Sequence, residues 1–114
     1  MKLALTTSGT TPEAPLDPRF GRAPRFLVYD TDTNGFEIVD NRAGFEAAQG
    51  AGFQAAERLV RLGVDGLVTS CCGPNAFRVL ERAGIEVYNS DDARTVAEAI
   101  EAYRAGRLVA VEPS

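Results

Sequence analysis

Histidine is absent from this 114-residue chain. That removes the side chain most often used as a general base and as a metal ligand. Lysine occurs once, as Lys2, so eleven of the 12 basic residues are arginine, the residue suited to gripping oxyanions. Sixteen acidic residues outweigh the basic ones and leave a net charge of −4, which argues against nucleic acid as a partner. No stretch approaches the ~18 apolar residues needed to cross a bilayer, so no membrane partner is expected. The opening apolar run is too short for a signal peptide, and a cytoplasmic location is expected. Cysteine occurs only as Cys71 and Cys72. In a reducing compartment both are thiols. Adjacent in sequence, they would close only a strained ring, so no structural disulfide is expected between them.

What is present is ordinary for a globular fold: 45% hydrophobic and 25% charged residues. The length fits one domain spanning residues 1–114. Residues 2–7 read as a first strand. A loop over residues 8–24, rich in Gly, Pro, Thr and Ser, follows, and loops of that length are often functional. Residues 25–31 and 36–40 read as two strands of a hairpin, with Asn34-Gly35 as the turn signal between them. Residues 41–49 form a polar connection. A helix from Gly50 to about Leu62 carries Gly52, Ala55, Ala56 and Leu59 on one stripe, and Gly63 stops it.

The rest of the chain is organised around residues 64–88. A short apolar run ends in Ser70-Cys71-Cys72, and Gly73-Pro74 leads into a helical pattern. Proline suits the first helical position, where its missing N–H costs nothing. Ala76, Val79, Leu80 and Ala83 repeat at helical spacing, Gly84 closes the segment, and a second apolar run, residues 85–88, follows. This is a βαβ unit, and ligands of open α/β sheets bind at the carboxyl ends of such strands. Thr95-Val96-Ala97-Glu98 fits a capping box for a last helix with Val96, Ala99, Ile100 and Tyr103 on its apolar face. Residues 108–111 would add a short strand or a docked tail. The order βββαβαβα indicates a mixed α/β sheet covered by helices.

Three constellations could carry chemistry. Cys71 and Cys72 are candidate ligands for a soft metal or an iron–sulfur species. Two thiolates cannot close a four-ligand site, and the plain alternative is a buried filler beside a surface thiol. Gly73, Asn75 and Ala76 stand at a helix start whose amides and dipole suit an anion. The alternative there is a simple chain turn. Arg19, Arg22 and Arg25 surround Phe20 and Gly21. They could clamp an anion with Phe20 as a hydrophobic anchor, or pair with Asp17 and Asp30. Gly50-Ala51-Gly52-Phe53-Gln54-Ala55 matches G-x-G-x-x-A, but no acidic residue follows at the expected place, so close packing explains it better. Asp30, Asp32 and Asp40 flank the hairpin as solvated charges.

Together these motifs resemble the dinitrogenase iron-molybdenum cofactor biosynthesis family. Asp17-Pro18-Arg19-Phe20-Gly21-Arg22-Ala23 with Phe26-Leu27-Val28-Tyr29-Asp30 is similar to its first signature. Gly50-Ala51-Gly52 with Ala55, Ala56 and Leu59 is similar to its second. Gly63-Val64-Asp65 through Gly73-Pro74-Asn75-Ala76, then Ala83-Gly84-Ile85 and Val87-Tyr88, is similar to its third. The resemblance implies a ribonuclease H-like fold: a five-stranded mixed sheet of order 3-2-1-4-5 with the second strand antiparallel. It also implies binding of iron–sulfur or iron–molybdenum precursor clusters by some members, without catalysis, and exchange with metallocluster donor or acceptor proteins. Ser70 stands where the family commonly has Gly, and the histidine often found beside its cysteines is missing; Cys71 and Cys72 fall at variable positions.

The expectation is therefore a non-catalytic carrier of an anionic cluster, with Cys71 and Cys72 as ligands and Gly73, Asn75, Ala76, Arg19 and Arg22 offsetting the charge. A homodimer could supply four thiolates. The alternative is a metal-free interaction or small-anion sensing module. An enzyme is the least favoured reading, because neither cysteine has an evident base beside it.

Overall fold

A computed structural model describes residues 1–42, 50–70, 72–90 and 93–111. Five strands form one sheet: β1 (Lys2–Thr7), β2 (Arg25–Asp30), β3 (Phe36–Asp40), β4 (Gly66–Thr69) and β5 (Glu86–Asn89). Their order is β3-β2-β1-β4-β5. β2 runs antiparallel to both β1 and β3, while β4 is parallel to β1 and β5. This is the mixed sheet that the family resemblance implies. Three helices are present among the described residues: α1 (Ala51–Leu62), α2 (Pro74–Arg82) and α3 (Val96–Arg104).

The strands sort their side chains with a period of two. Ala4, Phe26, Val28, Leu67 and Val87 face α1 and α2, where they meet Ala55, Ala56, Leu59, Ala76 and Leu80. Leu3, Leu5, Leu27, Tyr29 and Val68 face α3 and meet Val96, Ala99 and Ile100. The sheet is thus covered on both sides, which is why the central strand β1 has an unbroken apolar run at Leu3, Ala4 and Leu5.

Local signals set the ends of the elements. Pro74 begins α2. Gly63 ends α1 at φ 70°, a left-handed geometry that a side chain disfavours. Thr95 and Glu98 form the reciprocal capping box of α3. In the β2–β3 hairpin the left-handed residue is Asn34, at φ 61°, while Gly35 is not left-handed. Residues 109–111 dock along β5: Asn89 N–H donates to Val109 O at 3.0 Å and Val111 N–H to Val87 O at 2.7 Å. Ala83, expected on the apolar face of α2, is its exposed C-cap instead. Most of the polar connection expected over residues 41–49 lies outside the described residues.

Candidate functional site

The carboxyl ends of β1 and β4 lie side by side because the two strands are parallel neighbours. The long loop that follows β1 folds back over this edge. Thr6 Oγ1 donates to Asp17 O at 2.6 Å, and Asp17 N–H returns a bond to Thr6 O at 2.9 Å. Thr7 Oγ1 donates to Pro15 O at 2.9 Å. From β4, Ser70 Oγ donates to Pro18 O at 3.3 Å. Beyond β3, Asn41 Nδ2 donates to Ala23 O at 2.7 Å and Gly21 O at 3.3 Å. Four anchor points thus hold the arginine segment across the sheet edge where β4 ends.

Within that segment the side chains divide. Phe20 is buried in the core, its ring centroid 6.0 Å from that of Phe26. It anchors the loop to the protein, so the expected role as an anchor for ligand is corrected. Arg19 grips Asp17 through Nε at 3.1 Å and Nη2 at 3.0 Å, and its amide donates to the same carboxylate at 2.9 Å. The Arg19 side chain remains 62% exposed while that of Asp17 is 5% exposed. Burial pushes the Asp17 carboxyl up, but the bonds from Arg19 outweigh it and the net shift is downward. Arg22 is half-buried beside Gly21. Arg25 turns away and donates through Nη1 to Ser8 O at 2.7 Å. Asp30, the other candidate partner, instead accepts from the Asp32 amide at 2.8 Å.

Cys72 is a half-buried thiol packed against the core cluster under α1 and α2. Cys71 lies outside the described residues. Gly73 is the exposed, extended N-cap of α2, and the first helical bond runs from Phe77 N–H to Gly73 O at 2.9 Å. The amides of Asn75 and Ala76 precede that bond and therefore have no helical acceptor. Asn75 is exposed and Ala76 is buried.

One feature of the edge escaped sequence reasoning. The start of α1 stands against the start of α2: a Cβ on Gly52 would lie 3.4 Å from Ala76 Cβ. Neither helix has an acidic residue in its first turn, and neither N-cap is satisfied by a side chain. α3 differs on both counts, with Thr95 and Glu98 closing its N-terminus. Two helix starts with no acidic residue in their first turns and, among the described residues, no side-chain cap therefore stand together, and such ends favour anions. The sequence signal was available in Gly50 and Gly73 at both N-caps and the missing Asp or Glu after each. Among the described residues no three Cys, Asp or Glu side chains gather into a metal-binding group.

Comparison with known proteins agrees with this architecture. The family model described as dinitrogenase iron-molybdenum cofactor matches residues 1–106. The apo form of the orange protein from Desulfovibrio gigas is 37% identical, with a TM-score of 0.93, covering 98% of this chain and 93% of that one. An NMR structure of a candidate NifB protein from Thermotoga is also 37% identical, with a TM-score of 0.82 and coverage of 96% and 91%. An uncharacterised protein of Methanocaldococcus jannaschii is 28% identical over 111 residues, covering 95% of this chain and 89% of its own length.

Proposed function

The chain belongs to the dinitrogenase iron-molybdenum cofactor family, and from that premise we propose that it is a non-catalytic carrier of an anionic iron–sulfur or iron–molybdenum precursor cluster. The cluster is cargo, received from one metallocluster protein and passed to another. Cys71 and Cys72 supply thiolates at the end of β4. The helix start at Gly73, Asn75 and Ala76 and the Arg22 guanidinium offset the negative charge, while Arg19, whose charge is balanced by Asp17, orders the loop that carries Arg22. The observation that supports this reading best is the pairing, at the edge that carries Cys72, of two helix N-termini whose first turns carry no acidic residue. A multiply charged anion entering there meets positive potential from several sides.

The test is reconstitution with iron, molybdate and sulfide under strict exclusion of oxygen, followed by metal and sulfide analysis. Bound metal with visible absorbance is expected. Cys71→Ser with Cys72→Ser should abolish it, and an unchanged spectrum in that double variant would exclude the thiolates as ligands.

A second reading is a metal-free module for a small oxyanion. The lack of a three-ligand group among the described residues favours it. It predicts a colourless protein whose Tm rises with molybdate alone and whose response disappears in Arg22→Ala but survives the loss of both cysteines.

A further inference from the structure

On the opposite face of the sheet, α3 covers the middle strands and leaves the β2–β3 side open. A groove of about 470 Å³ lies there, between α3 and the hairpin. That volume falls in the range of small-molecule sites. Tyr29 and Ile100 are its most buried lining residues, and Phe36 stands over it 46% exposed. Pro12 closes one end, held there because Ala97 N–H donates to Pro12 O at 2.7 Å.

The rim carries one organised charge. Arg104 Nη1 donates to Tyr29 Oη at 2.8 Å and to Asn34 Oδ1 at 2.5 Å. Tyr29 Oη itself donates to Asn34 Oδ1 at 2.6 Å. Asn34 occupies the left-handed turn position of the hairpin, so its amide is fixed by backbone and side chain together. The guanidinium is thus held in place by two neutral oxygens. Among the described residues no carboxylate pairs with it, and Nε and Nη2 have no protein acceptor. Glu101 also lines the rim, and neither it nor Arg104 is in an ion pair among the described residues.

The geometry points to a binding site for a small monocarboxylate with an apolar body. The carboxylate accepts from Nε and Nη2 of Arg104 in a bidentate pair, the arrangement that an oriented guanidinium favours. The apolar body lies over Tyr29 and Ile100 beneath the ring of Phe36 and removes that ring from water. Glu101 repels a second negative charge, so a dianion such as phosphate or a dicarboxylate is disfavoured. The site is separate from the edge at β4, on the other side of the sheet, and stands or falls without the carrier reading.

The test is a titration of the full chain with sodium hexanoate, followed by amide chemical shifts in two-dimensional proton–nitrogen NMR. A ligand of this size should bind with a Kd on the order of 1 mM. Saturable shifts are expected at Asn34, Gly35, Ala97 and Glu101. Hexylamine should bind at least about tenfold more weakly, and succinate likewise. Arg104→Gln should reduce hexanoate to the affinity of hexanol, and Arg104→Lys should restore part of the loss. Arg104 is exposed, so the variant spectra will also report a retained fold. Equal binding of hexylamine, unchanged hexanoate affinity in Arg104→Gln, or shifts confined to Gly73–Ala76 would each overturn the assignment.

Discussion

A side-chain carbon on Gly21 would stand 2.5 Å from the backbone nitrogen of Gly52 and 2.8 Å from its Cα. The arginine loop and the first turn of α1 therefore meet backbone to backbone. Only glycine permits that approach, and it seats the arginine loop on the start of α1. Gly21→Ala should lower stability by about 1–3 kcal/mol through overpacking. It should also reduce metal loading in the oxygen-free reconstitution, because the loop must move off α1. Loading at wild-type level in a folded Gly21→Ala protein would separate the loop from the site.

Asp17 predicts a pH dependence. Its burial raises the carboxyl pKa, and the opposing bonds from Arg19 bring it below the ordinary value. The unfolded chain therefore binds this proton more readily than the folded one. The stability contributed by Asp17 is present above the unfolded value of about 3.9 and is lost as pH falls through the lower folded value. A Tm series from about pH 2 to pH 6 should show a shallower acid limb in Asp17→Asn than in wild type. Arg19→Gln removes the side-chain bonds and the charge but keeps the backbone amide on Asp17, so the folded carboxyl pKa rises toward its unfolded value and the acid limb should again be shallower, with lower stability at neutral pH.

Thr95 caps α3, where the Glu98 amide donates to Thr95 Oγ1 at 3.1 Å. Thr95→Ala should cost about 1 kcal/mol. Urea titration should show a lower midpoint with an unchanged slope. Thr95→Ser should keep most of the wild-type value.

Leu80 is fully buried between α2 and the sheet. Leu80→Ala should cost about 2–5 kcal/mol by loss of burial and creation of a cavity. The helix start at Gly73 lies more than one turn away, so residual anion binding should follow the folded fraction. A folded Leu80→Ala protein that had lost its anion response would show that the helix start depends on the packing below it.

The elements were legible because their signals are short-range. Pro74, Gly63, Gly84 and the Thr95–Glu98 box act within one turn, and strand alternation acts over a few residues. The arginine loop was legible only as a cluster. Its pattern leaves pairing with Asp17 and service to a ligand open, and Phe20 reads as an anchor for ligand although its ring packs against Phe26 in the core. The small residues of Gly50-Ala51-Gly52 suggested packing on the sheet, yet Gly52 meets the loop and α2 instead. The Arg104, Tyr29 and Asn34 cluster had no signal at all, because its members lie 70 and 75 positions apart for the arginine's two partners.

Residue order alone was sufficient for the strand and helix succession, the family, and the two thiols placed after the fourth strand. Those follow from rules that act between near neighbours and from motifs read along one line. Which loop covers the β4 tip, which arginine is already committed to a carboxylate, and which helix ends stand together were decided only by folding. These depend on contacts between segments far apart in the chain, where packing and desolvation select one partner among several that composition permits.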